Sequence, residues 1–313
     1  MKKTVFVSLM LFCLIACEQQ PQSEEIVDMS DITIENYPRF DASTSTHPLN
    51  QIIAAKLLGL EYEFYKGMGV VISDASGSVL SEKLQCSQTH SAIINLIDNQ
   101  TDIITVARKM SADERNYAQE KRAVLIETPI ALDALDFIVN IQNPVNSLTL
   151  SEIQNIYLGN ITNWSAVGGT NDNIVPFIRN ANSGSQEMMN EFVMNNVEMS
   201  DWEVSYTDEL TVLSMLQVYS ELRQNPNGIC FTPHYYKEYL VMEDYNEIIK
   251  TLAVNNIMSG TNSIKNKTYP IIAPVYVMIR SDLDKNSMTC KLYEWLQTTA
   301  GKAVIEESGY VAN

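Results

Sequence analysis

The sequence predicts an α/β protein built as two domains. Three observations carry that prediction: short apolar runs alternate with stretches of helical period, the 313-residue length suits two domains, and a 45% hydrophobic content supplies ample core. In chain order, "PLNQIIAAKLL" (48–58) is helical, "GVVIS" (69–73) a strand, "HSAIINLI" (90–97) helical and "DIITV" (102–106) a strand. "DFIVNI" (136–141) follows as a strand, "SEIQNIYLG" (151–159) as a helix, "IVPFI" (174–178) as a strand and "QEMMNEFVM" (186–194) as a helix. "GICFT" (228–232) and "YPIIAPVYVMI" (269–279) read as buried strands, and "CKLYEWLQTTAGKAVIEE" (290–307) closes the chain as a helix.

The start of the chain has a different character. "MKKTVFVSLMLFCLIA" (1–16) sets two lysines before an apolar stretch that ends at small Ala16, the layout of a signal peptide. That stretch is too short to span a bilayer comfortably, and no later segment approaches the roughly twenty apolar residues a transmembrane helix needs. "LIAC" resembles the bacterial lipobox, in which Cys17 receives acyl chains such as palmitate and becomes the first mature residue. Acylation implies a membrane anchor, not a span. The polar run "EQQPQSEEIVDMSD" after it suits a flexible tether, so residues 17–31 are expected to link the lipid to the folded part.

Composition excludes several classes. The net charge is −17, and loss of the leader's two lysines makes the rest more negative still, so the chain should repel nucleic acid and anionic lipid. Of the five cysteines, Cys86, Cys230 and Cys290 lie far apart beyond the leader region, which argues against a disulfide framework and favours buried free thiols. No CxxC or Cys/His spacing suggests zinc, and no metal or cofactor is expected. With three histidines (His47, His90, His234) and no GxSxG, Walker loop or HExxH, the sequence reads as a non-enzyme.

Three helix starts share a pattern. Thr46 precedes His47 and Pro48; Thr89 precedes "HSAIINLI"; Ser183 precedes "GSQEMMNEF", with Gln186 placed to complete a capping box. Each is an ordinary N-cap, yet together their unpaired N–H groups and positive dipole ends form an anion site if they converge. In "RNANSGS" (179–185), Arg179 offers a planar fork of donors, Gly184 lets an anion approach the backbone closely, and Ser183 and Ser185 add hydroxyls.

Beyond these features, "RNANSGSQEMMNEF" resembles the arginine and Ser-Gly-Thr segment of the phosphate-binding proteins that serve bacterial ABC transporters. "FDASTSTHPL" (40–49) is similar to their first anion loop, and "TDIITVARKMSADE" (101–114) to a strand ending in Ser-Arg in one branch of the family. "LTLSEIQNIYLGNITNWSAVGG" (148–169), "PNGICFTPHYY" (226–236), "YPIIAPVYVMI" and "AGKAVIEESGYV" match further family segments in the same order, covering roughly residues 37 to 313. The resemblance implies a two-lobed periplasmic-binding-protein fold. Each lobe is a mixed sheet flanked by helices, with lobe one at 32–136 and 273–313 and lobe two at 137–272, joined by a hinge that closes on ligand.

It further implies that phosphate is held by Ser45, Thr46 and His47, by Thr89, and by Arg179, Ser183, Gly184 and Ser185, with His47 contributing its backbone N–H. Arg108 is a second candidate contact, the alternative being pairing with Asp113 or Glu114. The implied partners are inorganic phosphate and the permease subunits of an importer, with a monomer anchored by lipid on the periplasmic side of a membrane of the cell envelope. One departure stands out: where several members carry an aspartate that accepts the ligand proton and rejects sulfate, this chain has Ala107, and Ala181 replaces another frequent aspartate. Sulfate, molybdate or tungstate therefore remain alternatives, as does a sensor or adhesion lipoprotein of the same fold.

Overall fold

The computed structural model describes residues 27–73, 77–181, 183–200 and 211–313. The leader, the lipidation candidate Cys17 and most of the tether lie outside these residues. Strand β1 (Phe40–Ala42) leads into α1 (His47–Leu58), the hairpin of β2 (Glu61–Tyr65) and β3 (Gly69–Ser73), α2 (Gly77–Lys83), α3 (Gln88–Ile97), β4 (Ile103–Val106) and α4 (Ala112–Lys121). The long β5 (Leu125–Asn140) follows, then β6 (Ser147–Leu148), α5 (Leu150–Tyr157), β7 (Val175–Pro176), α6 (Gly184–Met188), α7 (Thr211–Gln224), β8 (Gly228–Pro233), β9 (Ile249–Val254) and α8 (Thr261–Lys265). The chain returns through β10 (Ile272–Arg280) and ends with α9 (Met288–Trp295), α10 (Thr299–Glu307) and β11 (Val311–Ala312).

Strand β5 belongs to both lobes. Its first part pairs antiparallel with β10 from Leu125 to Ala134 and with the short β11. From Leu135 onward its partners are β8 and β9 instead. Around the first part, β10 pairs with β4 and β4 runs parallel to β1; around the second, β7 runs parallel to β8 and β6 to β9. The change of partner falls between Ala134 and Leu135.

Continuous apolar runs, rather than alternating ones, follow from burial on both faces of each sheet. Along β10, Val275, Val277 and Ile279 face one core while Tyr276 and Met278 face another. Along β5 and β8, Phe137, Val139, Ile229 and Phe231 face a third core, and Ile138 and Cys230 a fourth. Period-two alternation thus sorts side chains between two helical layers in each lobe. Cys86, Cys230 and Cys290 stand as free thiols, the last two buried. Among the described residues no helix is long and apolar enough to cross a membrane.

Several elements differ from the sequence reading. The predicted helix at 290–307 is two helices, because the chain turns after Trp295 and the Thr298 side chain caps α10 by accepting from the Gly301 amide at 3.2 Å. Residues 186–194 start as α6 and then widen into a π-helical turn, Met189–Val193. The predicted strand at 174–178 shrinks to β7, and "GVVIS" is buried only at its first two positions because the β2–β3 hairpin stands apart from the main sheet.

Gly301 marks where α10 meets the end of α9: a Cβ there would lie 2.7 Å from the Leu296 Cα and closer still to the Trp295 carbonyl oxygen. Both obstacles are backbone, so neither can rotate away. Gly301→Ala is expected to destabilise the fold by about 1–3 kcal/mol, the usual range for overpacking. Gly260→Ala, where no atom lies within 4 Å, should shift stability by no more than about 0.5 kcal/mol. Urea denaturation of both variants checks the contrast.

Candidate functional site

A cavity of about 40 Å³ lies where loops from both lobes meet. One wall is the loop after β1 (Ser43, Thr44, Ser45), the start of α3 (Gln88, Thr89) and Ala107 after β4; the other is Arg179, the start of α6 (Ser183, Gly184, Ser185), Met215 of α7 and Pro233 at the end of β8. No carboxylate appears in this lining among the described residues.

The first loop turns tightly because the Ser43 carbonyl accepts from both the Thr46 amide (3.1 Å) and the His47 amide (3.0 Å). The Thr46 hydroxyl is also committed, donating to the Thr105 carbonyl at 2.7 Å. Of the three residues the resemblance assigns here, Ser45 lines the cavity, whereas Thr46 and His47 sit behind it. The predicted use of the His47 amide as an anion donor meets a physical obstacle, since that amide already donates to the Ser43 carbonyl in the turn that leads into α1. Burial lowers the affinity of the His47 imidazole for a proton, which keeps it neutral. Ser43 and Thr44, two and one residues before Ser45, also line the cavity, Ser43 buried and Thr44 half-buried.

Asp41 shapes the neighbouring wall. Its buried carboxylate accepts from the Ala42 amide (2.7 Å), the Ser87 amide (2.9 Å) and the Asn95 side chain (2.9 Å), pinning the start of α3 against β1. The helix therefore begins two residues earlier than the N-cap rule suggested: Gln88 is its first residue, and Thr89 lies inside the first turn. Gln88 has φ 71°, a left-handed conformation that costs a non-glycine residue on the order of 1–3 kcal/mol. The carboxylate bond to Ser87 helps hold that turn.

The opposite wall is organised by Gln186. The Ser183 hydroxyl caps α6 by accepting from the Gln186 amide at 3.1 Å, but the Gln186 side chain does not complete a capping box. Its Oε1 accepts from the Arg179 amide (2.8 Å) and its Nε2 donates to Asn190 (2.9 Å), so it binds the end of the Arg179 segment to the helix. Arg179 is 4% exposed, with Nη1 3.3 Å from the Met215 sulfur. A Cβ on Gly184 would lie 2.7 Å from the Thr89 hydroxyl, so only glycine lets the two helix starts approach this closely. The Ser185 hydroxyl is buried in the cavity wall with no hydrogen-bond partner among the described residues.

Arg108 stands one residue behind the lining. It forms a two-pronged pair with Glu114 (2.7 and 2.8 Å) and donates to the Lys109 carbonyl (2.8 Å); its partner is one of the two carboxylates considered from sequence, but the pair is buried rather than on the surface. Glu114 also accepts from the Ser111 amide (2.8 Å) and pairs with His90 Nδ1 (2.8 Å). Burial opposes ionisation of Glu114, but hydrogen bonds from Arg108 and His90 outweigh it and hold its pKa at about 2. The hydrogen bond to Glu114 raises the His90 pKa above its ordinary 6.5. This trio joins α3, the Ala107 turn and α4.

The geometry is suited to enclosing a small anion among hydroxyls, helix-start amides and a guanidinium. A cavity of this size suits a small ligand. Sequence reasoning missed Ser43, Thr44, Gln88, Met215 and Pro233; an unusual φ leaves no trace in residue type, and a methionine on a distant helix carries no spacing signal.

A family model described as a PBP superfamily domain matches residues 59–300. The protein SphX of Synechococcus elongatus is 26% identical over 227 residues, 68% of this chain and 64% of its own length. The phosphate-binding protein PstS of Borreliella burgdorferi is 24% identical over 186 residues, 59% of this chain and 65% of its own. The chain thus spans just under two thirds of the length of these curated relatives. Among solved structures, an ABC-type phosphate transport receptor from Vibrio cholerae superposes with a TM-score of 0.59 at 20% identity, covering 87% of this chain and 98% of the other. That likeness shows a shared two-lobed fold.

The His90–Glu114 pair predicts a pH dependence with a definite sign. Because the folded pKa of His90 is raised, its stabilising contribution is complete below pH 6.5 and is lost as pH rises through the higher folded value. His90→Asn should therefore narrow the stability gap expected between pH 6 and pH 8 in the parent chain. Urea midpoints at the two pH values measure it; an unchanged gap would show that the pair does not couple to folding.

Proposed function

The chain belongs to the PBP superfamily, and from that premise we propose that it is an extracytoplasmic solute-binding protein that captures inorganic phosphate between its lobes. In this reading a lipid on Cys17 holds it at the periplasmic side of a membrane, and it hands phosphate to the permease of an ABC importer. The carrying observation is the cavity between the lobes, walled by hydroxyls, two helix starts and Arg179, with the buried Ser185 hydroxyl lacking a partner among the described residues. The curated relative from Borreliella burgdorferi is named for phosphate binding, and the Vibrio cholerae structure for phosphate transport; both support the choice of ligand.

Phosphate carries one to two negative charges at neutral pH, and burying it unpartnered costs many kcal/mol. Thr44, Ser45, Thr89, Ser183, Gly184 and Ser185 would supply donors, with Arg179 as the closest cation. Arg108 acts from behind: paired with Glu114, it fixes the Ala107 turn instead of gripping the ligand. Closure would bring the α3 and α6 starts together, exclude water and strengthen each charge-assisted bond.

A second reading has its own observation. Phosphate bearing a proton needs an acceptor, and with Ala107 in the wall only hydroxyl, amide or carbonyl oxygens are at hand. That favours keeping sulfate, molybdate and tungstate as ligands of the same site.

Titration calorimetry of the delipidated protein with phosphate and with sulfate, between pH 5 and 8, separates the readings. Arg179→Ala is expected to weaken phosphate binding by on the order of a hundredfold, the loss of hydrogen bonds to a charged group. Undiminished binding would remove Arg179 from the site, and equal sulfate binding would remove the phosphate preference.

A further inference from the structure

We propose that Tyr310, outside every anion loop, is a positioning residue of the site: its hydroxyl holds the Ser45 carbonyl away from the bound anion. The inference rests on the anion-binding reading above. The Tyr310 hydroxyl donates to the Ser45 carbonyl oxygen at 3.0 Å, and Ser45 lines the cavity. A carbonyl oxygen carries partial negative charge, so one turned toward a buried anion would repel it in a setting that screens poorly. Occupied by Tyr310, this oxygen is committed elsewhere, and the loop presents N–H and O–H groups.

The ring is fixed to make that bond. Tyr310 is 3% exposed and lies flat against Tyr235, with centroids 3.8 Å apart and planes within 3°. Tyr235 is held in turn: its amide donates to Asp133 (3.0 Å) and its hydroxyl to the Ser308 carbonyl (3.0 Å). Tyr239 packs on Tyr235 with centroids 4.7 Å apart and meets Phe64 of the β2–β3 hairpin edge-on at 5.9 Å. Tyr235 follows Pro233, a residue of the far cavity wall, by two positions. The stack therefore runs from the segment that follows Pro233 to the anion loop, and the Tyr310 hydroxyl is its point of contact with that loop. Burial raises the Tyr310 phenol well above its ordinary value, so the hydroxyl keeps the proton it donates.

The test compares Tyr310→Phe, which keeps the ring and loses the hydroxyl, with Tyr269→Phe. Tyr269 is equally buried and donates to the Leu135 carbonyl at 2.9 Å, touching neither anion loop. Inorganic phosphate binding is followed by calorimetry and stopped-flow, with melting temperatures recorded in parallel. Tyr310→Phe is expected to bind phosphate roughly tenfold more weakly through faster dissociation, while Tyr269→Phe stays within about twofold despite a similar drop in melting temperature. Equal losses in both variants, or no loss in Tyr310→Phe, overturn the proposal. Should the parent chain bind no phosphate, the ligand assignment fails instead. Amide hydrogen exchange on the unliganded protein then decides the positioning role. Faster exchange at Thr46 and His47 in Tyr310→Phe alone supports it, and unchanged rates overturn it.

Discussion

A buried anion tolerates donors and repels acceptors, and that asymmetry orders the loops around the cavity. Every turn that presents an amide also carries a carbonyl, and every polar anchor has oxygens of its own. These acceptors are turned outward one by one. The Ser43 carbonyl is taken by the Thr46 and His47 amides, the Asp41 carboxylate by Ala42, Ser87 and Asn95, and the Gln186 Oε1 by the Arg179 amide. Glu114, the carboxylate nearest Arg108, is consumed by Arg108, His90 and Ser111. What remains in the lining includes the hydroxyls of Thr44, Ser45, Thr89, Ser183 and Ser185 and the Arg179 guanidinium, beside apolar Ala107, Met215 and Pro233; donors of this kind are the electrostatic condition for holding negative charge without water.

Global charge does not contradict this arrangement. The chain carries a net −17, yet charges on its exterior act through water and salt that screen them beyond roughly 8–10 Å. Inside the cavity wall the fields are those of the nearest dipoles and of Arg179, which is almost fully buried. Encounter is slowed by the surface; retention is governed by the wall. An acidic protein can therefore hold an anion, provided the local donors are fixed before the ligand arrives.

How much of this could be read from residue types depends on distance along the chain. The strands at 102–106 and 228–232 were legible because burial on both faces writes a continuous apolar run, and the Ser183 cap because its bond spans three residues. The start of β5 was not, since "LIETPIALDA" mixes charges and proline with apolar residues while its two neighbours, β10 and β11, supply the missing context. The site followed the same division. Arg179, Ser183, Gly184 and Ser185 form one contiguous motif, and all four line the cavity. Thr46 and His47 look equivalent to Ser45 in sequence, but the helix they open uses their amides first. Only the folded chain separates a donor spent on its own turn from one left over.

The same reasoning extends to where the lobes join. At the change of partner along β5, Asp133 and Asp136 are both buried; Asp136 pairs with His234 at 3.0 Å and with Lys237 at 3.3 Å, while Asp133 accepts from the Ala134 and Tyr235 amides. Burial pushes the Asp133 pKa up to about 6, whereas His234 and Lys237 outweigh burial at Asp136 and keep it ionised. Such groups contribute little net stability, because desolvation offsets most of their attraction. Their effect is geometric: the bonds are satisfied in one register of β5 against β8 and the segment after it. A fixed register there sets how Pro233 meets the first loop, and hence whether the α3 and α6 starts face each other closely enough for Gly184 to touch Thr89. The anion wall thus inherits its shape from polar contacts on the strand that both lobes share.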